Sequence, residues 1–573
     1  MSPNIKGFIT SLVLFFLVGC EQPQEPLDFS KTPKELSQHT QIFEKSVVKV
    51  TDRVHVAIGY GLANSIMIEG DDGLIIVDTM ETVEEGNAVL NEFRRISQKP
   101  IKAIIYTHNH ADHVFGSKAF YEDGVDIYAH ESTSYYIGRV INIIRPIITT
   151  RSMRMFGNHL HEEELVNAGI GPHLTIDKHS TLNALTPTKT FKDNLKVNIA
   201  GVNIELIHAP GETEDQLFVW LPDEKVLMPG DNIYKTFPNL YTIRGTYYRD
   251  VKKWANSLDV MRKLDAEYMV PSHTRPLVGK SLIQETLTAY RDAIQYVHDQ
   301  TIRHMNYGLT PDEIVEKVKL PEHLAKHEYL AEFYGTVEWS VRSIFTGYLG
   351  WFDGNPTTLQ PLAPTEEANN MVALAGGEDA LLKQVETALK NEQYQWALQL
   401  SDYLTHTAHE TRAKQLKASA LEGLAEMESN PNARHYYFTQ AKELKEGLRA
   451  AVYPAPNPDF IAQLPAKNIF DSMPVYLKAE DTLDVVQTVQ FNLTDTGETY
   501  SIQIRRGIAE VQPYPLAVPD VSITTTAKVW KEISAKIRSP LQAILDGDLT
   551  VDGGKLALVE FLGYFDVPDF SNP

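Results

Sequence analysis

From Thr107 to His113 the chain reads Thr-His-Asn-His-Ala-Asp-His, which puts three imidazoles and a carboxylate within six residues. Neutral imidazoles joined by a carboxylate suit zinc or a similar first-row divalent ion. On a turn, His108 and His110 can face one centre while Asp112 and His113 reach a second. The plain alternative is a solvated His-rich turn, and so dense a set of ligands argues against it.

These residues need a rigid mount. The preceding run, Ile-Lys-Ala-Ile-Ile-Tyr (101–106), is short and branched and predicts a buried strand whose end carries the ligands. Other strands end in polar residues of the same kind. After the Asp71-Asp72-Gly73 turn, Leu74–Val77 runs into Asp78; 202–207 runs into His208-Ala209-Pro210-Gly211-Glu212. Val226–Met228 leads to Pro229-Gly230-Asp231, and 268–270 leads to Pro271-Ser272-His273. Segments 47–55 and 64–67 alternate apolar and polar residues, and helices are expected at Val83–Ile96, 117–121 and 254–264.

The H-x-H-x-D-H run resembles the metallo-β-lactamase superfamily, whose members are mostly binuclear metal hydrolases. The resemblance implies an α/β fold, an αββα sandwich. Many members place a metal-binding His right after the Pro-Gly, where this chain has Glu212. A Glu there resembles the alkylsulfatase branch. So do Asn239–Gly245 (Asn-Leu-Tyr-Thr-Ile-Arg-Gly) with Arg249-Asp250, similar to the sulfate-binding segment, and the run 348–356, Tyr-Leu-Gly-Trp-Phe-Asp-Gly-Asn-Pro. The resemblance implies two zinc ions per chain: one on His108, His110 and Glu212, the other on Asp112, His113 and His273. Asp231 and a hydroxide would bridge them, with Asp112 and Asp231 as catalytic carboxylates. Alkylsulfatases often bridge with Glu; this chain has Asp. Asp78 is expected to hold a ligand His from behind, to cap the helix Val83–Ile96, or to do both. Asn239, Tyr241, Arg244 and Arg249 are the expected substrate-binding residues, since a guanidinium fork matches sulfate oxygens; surface ion pairs are the alternative for the arginines. His130 is expected to be a satisfied neighbour, outside the ligand set. His159, His161, His173 and His179 lie in an insertion, 132–195, expected to cover the groove with an apolar wall at 143–148.

The chain opens with Lys6, an eleven-residue apolar run (8–18) and Leu17-Val18-Gly19-Cys20. The run is too short for a membrane span and reads as a signal peptide, 1–19. The tetrapeptide looks like a bacterial lipobox, so Cys20, the only cysteine, is the expected lipidation site. Residues 20–40 are expected to be a tether, and the chain an exported lipoprotein on a bacterial membrane, facing the periplasm or the cell surface. With 573 residues and a formal charge of −22, several domains are expected and nucleic acid is excluded as a partner, because no basic patch could displace phosphate counterions.

The catalytic domain is expected over 41–280. Helical spacing then takes over (281–455): Thr310-Pro311-Asp312-Glu313 is a capping box, and helices are expected at Val337–Leu349, Glu378–Lys390, 393–405, 408–427 and 433–446. The pair around Lys390 is tetratricopeptide-like, and the resemblance implies a dimerisation domain and a homodimer. Trp351 and Phe352 could be interface or pocket residues, and read by default as core. After a Pro-rich linker, 456–573 alternates strands and helices and resembles a sterol-carrier-protein-2-like α+β domain, either lipid-binding or a packing module. The expected activity is zinc-dependent hydrolysis of alkyl sulfate esters to alcohol and sulfate, with S–O and C–O cleavage both open. The alternatives are another superfamily hydrolase (lactone, β-lactam or phosphoester) or a non-catalytic lipid binder.

Overall fold

The computed structural model describes residues 33–160, 164–407, 410–447, 457–516 and 518–566. The expected signal peptide, Cys20 and His161 lie outside them. Two sheets carry the first half of the chain, both with strands in chain order. The first has seven: Ser46–Lys49, Val54–Ile58, Ser65–Glu69, Leu74–Val77, Ile101–Ile105, Asp126–His130 and Lys189–Phe191. The second has six, from Asn194–Ile199 through Val202–His208, Leu217–Leu221 and Val226–Met228 to Tyr268–Met269 and Leu277–Val278.

Side-chain alternation explains how they stack. Val54, Val56, Ile66, Ile75, Val77 and Ile105 face Val202, Ile204, Leu206, Leu217 and Val219 in one core between the sheets. The alternate residues Met67, Leu74, Ile76 and Ile104 meet Val89 and Phe93 of the helix Val83–Ile96 on the outer side. Phe218, Trp220 and Leu227 meet Trp254 and Leu258 of Val251–Met261 on the other. This is the expected αββα sandwich, and it explains why Leu74–Val77 is an unbroken apolar run: both its faces are covered.

Two stretches differ from the sequence reading. The described part of the expected tether is a helix, Pro33–Thr40. Leu36 is buried and His39 Nε2 lies 2.7 Å from Gly169 O, so an apolar and a polar residue three apart dock one helix face. The expected insertion 132–195 begins as a helical stretch, Thr133–Phe156, and its last residues are strands of the two sheets.

Beyond the sandwich, the helix Lys280–Met305 packs on Val251–Met261. The capping box forms: Glu313 N donates to Thr310 Oγ1, and Thr310 N donates to Glu313 Oε2 at 2.8 Å. Helices Glu378–Lys390, Tyr394–Leu404, Glu410–Met427 and Pro431–Glu446 follow as consecutive packed pairs. Trp351 is 70 % exposed and so is not a core residue of the chain, against the default reading. The C-terminal region is a five-stranded sheet in the order Ile508–Gln512, Thr499–Arg505, Val486–Leu493, Val521–Thr525, Leu549–Asp552, covered by helices. Phe470, from the helix Ala466–Ser472, stacks on Tyr500 at 4.2 Å and sits against Phe491 and Trp530. The chain's own rings thus pack the centre of this domain. Among the described residues no helix is long and apolar enough to cross a membrane.

Candidate metal centre and its cavity

Strand ends converge at the edge of the sandwich, and Asp78 ties them together. This buried residue takes φ +59° where its strand stops. Its carboxylate accepts from Thr107 N (2.8 Å), Thr107 Oγ1 (2.9 Å) and Ser272 Oγ (2.8 Å), and lies 2.8 Å from His113 Nδ1. It therefore fixes the His run, the His273 loop and the ring of His113 at once. It does not cap the following helix; Thr82 does, accepting from Glu85 N.

Among the described residues two groups of ligand atoms gather, His108–His110–Asp231 and Asp112–His113–His273. Atoms bound at about 2.1 Å to a tetrahedral ion lie roughly 3.4 Å apart. His108 Nε2 and His110 Nδ1 are 2.9 Å apart. Asp112 Oδ2 is 3.4 Å from His113 Nε2 and 3.5 Å from His273 Nε2. Asp231 Oδ2 stands 3.8, 3.5 and 3.1 Å from His108, His113 and His273 Nε2, between the two groups. Gly230 lets it do so: its φ is +59°, and a Cβ there would crowd the Gln216 amide. His113 Nε2, Asp231 Oδ1 and Glu212 Oε2 are buried with no hydrogen-bond partner among the described residues. Buried lone pairs in this number call for cations. The donor set fits two divalent ions.

Electrostatics agree. Burial holds His108 and His110 well below the usual imidazole range, leaving neutral rings with lone pairs to give. Burial opposes charge on Asp112, yet His113 and His273 outweigh it and bring that carboxyl to about 2. Burial likewise works against charge on His113, and Asp231, Asp112 and Asp78 overcome it, so its pKa is raised. A cation entering here would displace such protons.

Glu212 is buried beside this cluster, its Oε1 4.0 Å from His110 Nδ1 and 3.0 Å from Arg249 Nη2. Burial pushes its carboxyl up to about 7 against the pull of Arg249. Arg249 is thus in an ion pair, but a buried one, and it also donates to Asn239 O. The Asn239 amide is buried with neither polar atom bonded among the described residues. Arg244 Nη2 reaches His110 Nε2 at 3.1 Å. Both arginines, Glu212 and His110 line a cavity of about 260 Å³ together with Tyr136, Arg139, Val140, Ile144 and Ile148; of the apolar wall expected at 143–148, Ile144 and Ile148 take part, while Ile147 is exposed. Of the four expected substrate-binding residues, Asn239 and Tyr241 do not line it; Asn239 is buried behind it against Arg249, and Tyr241 lies elsewhere. Tyr241 lines an adjoining cavity of about 410 Å³ with Trp339, and the two cavities share Thr246, Tyr247 and Tyr248. His130 bonds Ser132 and Lys192 O and stacks on His208, a satisfied pair outside the ligand groups.

Two supports were missed by sequence reasoning. Glu81, fully buried, accepts from Leu62 N at 2.9 Å, and Leu62 O lies 2.9 Å from His273 Nδ1. Asp215 accepts from Asn109 in the His run and from Thr133 (2.8 Å) at the head of the cavity wall. Nothing in their local sequence marks either; only proximity to Asp78 and Glu212 could have drawn attention to them.

Three family profiles match the chain: metallo-beta-lactamase superfamily over 58–139 and 186–273, alkyl sulfatase dimerisation over 310–447, and alkyl sulfatase C-terminal over 454–572. The chain is 41 % identical to a linear primary-alkylsulfatase of Pseudomonas sp. (strain ATCC 19151), covering 88 % of this chain and 98 % of that one. An (R)-specific secondary-alkylsulfatase of Pseudomonas sp. is 28 % identical, covering 90 % and 80 %. In structure, the stereoselective inverting sec-alkylsulfatase Pisa1 from Pseudomonas sp. superimposes with a TM-score of 0.87 at 26 % identity, covering 94 % and 87 %.

Proposed function

The chain belongs to the alkylsulfatase branch of the metallo-β-lactamase superfamily, and on that footing we propose that it hydrolyses alkyl sulfate esters to alcohol and sulfate at two bound divalent cations. Zinc suits a donor set of imidazoles and carboxylates. His108, His110 and Glu212 would hold one ion, Asp112, His113 and His273 the other, with Asp231 between them. When bound, such ions supply a water of lowered pKa and offset the charge on the departing sulfate.

The observation that carries this reading is the mixed lining of the cavity. It presents Arg244, Arg249 and the neutral ring of His110 together with the apolar side chains of Val140, Ile144 and Ile148, while Arg139 in the same wall is stacked on the Tyr247 ring. A sulfate head with a greasy tail is mixed in the same way. The Arg244 fork would hold sulfate oxygens, and the apolar wall would keep bulk water from the ester. Arg249 would steady Glu212 while its remaining N–H groups face the substrate. Sulfate release from a medium-chain alkyl sulfate, by zinc-loaded and by chelated protein, is the test. Metal-dependent release is expected; no release from primary or secondary esters would remove the reading. Heavy-oxygen water then shows which bond breaks, by whether the label ends in sulfate or alcohol.

The same proposal includes a homodimer, supported by the dimerisation-family match, and export with lipid attachment at Cys20, supported by the lipobox-like sequence. Cys20→Ala should move the protein from the membrane fraction to the soluble one; an unchanged distribution would rule out lipid anchoring.

A further inference from the structure

The helical wall of the cavity changes its winding at one place. Thr133–Arg139 is α-helical, Val140–Ile144 takes a wider π-helical turn, and Arg145–Phe156 is α-helical again. The cause is local. Pro146 has no N–H, so the carbonyl of Asn142, four residues back, loses the donor an α-helix would supply, and the proline ring crowds that carbonyl. Tyr476 fills the place. Its hydroxyl, 334 residues away in sequence, donates to Asn142 O at 2.7 Å.

A second contact lies one turn earlier. The helix Ala466–Ser472 rests on Gly138, where a Cβ would come 2.5 Å from Asn468 Nδ2. Within the chain wall itself, Asn142 Nδ2 donates to Gly138 O at 2.7 Å. The wide turn sends its residues three ways. Val140 and Ile144 line the cavity. Ile141 packs on the outer core of the first sheet. The Asn142 carbonyl faces the C-terminal domain. Wide turns of this kind recur at functional sites because they re-aim a helix face.

We propose that Tyr476 and Asn468 are positioning residues for the substrate: by holding the wide turn, they set where Val140 and Ile144 stand and so which alkyl tails the cavity accepts. This rests on the alkyl sulfate reading above. The C-terminal domain then acts on specificity by gripping the back of the cavity wall, while its own interior is packed with the chain's aromatic rings.

The test compares full-length zinc-loaded wild type with Tyr476→Phe and Asn468→Ala, on decyl sulfate and propyl sulfate. Each variant should raise KM for the decyl ester about five-fold with kcat unchanged, and leave KM for the propyl ester within about two-fold, because only the long tail reaches the turn. Hydrogen exchange of amides 140–144 should quicken in both variants. Pro146→Ala, which restores a helical donor, should shift the same chain-length profile with Tyr476 intact. An unchanged chain-length profile overturns the proposal, as does an equal loss on both esters with a lowered melting temperature. If the wild type cleaves no ester, the functional reading fails by itself. Exchange then decides the positioning claim: faster exchange at 140–144 retains it, and unchanged exchange ends it.

Discussion

Asp78 carries more of the site than any single ligand, since one carboxylate orients His113, anchors Thr107 and holds Ser272 beside His273. Asp78→Asn keeps the shape but turns one acceptor into a donor facing His113 and Ser272. Metal affinity should fall about 10–100-fold, as for other lost supports of a ligand imidazole, with the fold retained. Competition with a chromophoric chelator reads this; unchanged affinity would contradict the assigned role. Arg244→Met should leave metal content intact and lower kcat/KM for alkyl sulfates about 10–100-fold, the range of a lost charge-assisted hydrogen bond of ~1.5–3 kcal/mol. Steady-state kinetics beside metal analysis separates it from a ligand. The His run was legible because its ligands lie within six residues. The Arg249–Glu212 pair and the Glu81–Leu62–His273 relay were not, because each joins loops that only the folded sandwich brings together.

At the scale of elements, strands and helices of the sandwich could be read because burial on one face or both imposes its own periodicity. The winding of Val140–Ile144 could not. Pro146 announces a missing helical bond, but which group replaces it depends on a hydroxyl far along the chain. The helix Pro431–Glu446 shows a related effect. It packs on Arg145–Phe156 with Arg154 and Glu443 paired at 3.0 Å, and buries His435. Burial, helped by Arg434, pushes the His435 ring down from 6.5 to about 3. The unfolded chain therefore takes up a proton near pH 6.5 that the folded chain refuses. Stability from this group is complete above that pH and is lost as pH falls toward 3, by at most roughly 1.4 kcal/mol per unit. Chelated wild type should lose more melting temperature between pH 7.5 and 5 than chelated His435→Gln. Parallel losses would mean that the ring is protonated in the fold.

Over the whole molecule, the domain order was legible through joined motifs, while for a surface between copies the sequence offered only Trp351 and Phe352 as candidates. Tyr348 and Leu349 end the helix Val337–Leu349, Trp351, Leu359 and Leu362 follow it, and all five are exposed. They belong to the stretch matched by the dimerisation family. Trp351→Ser with Leu359→Ser should weaken a dimer by about 100-fold or more, since aromatic anchors dominate such interfaces. Sedimentation at micromolar concentration should show dimer for wild type and monomer for the variant. A monomeric wild type would contradict the assembly.

The proposed hydrolysis needs two cations acting together between strand ends and an arginine-lined cavity. The most direct measurement is a zinc titration of metal-free protein that follows sulfate release from decyl sulfate. The expected rate rises to a plateau at two equivalents per chain. Full activity at one equivalent, or none at any, would contradict the paired-ion site.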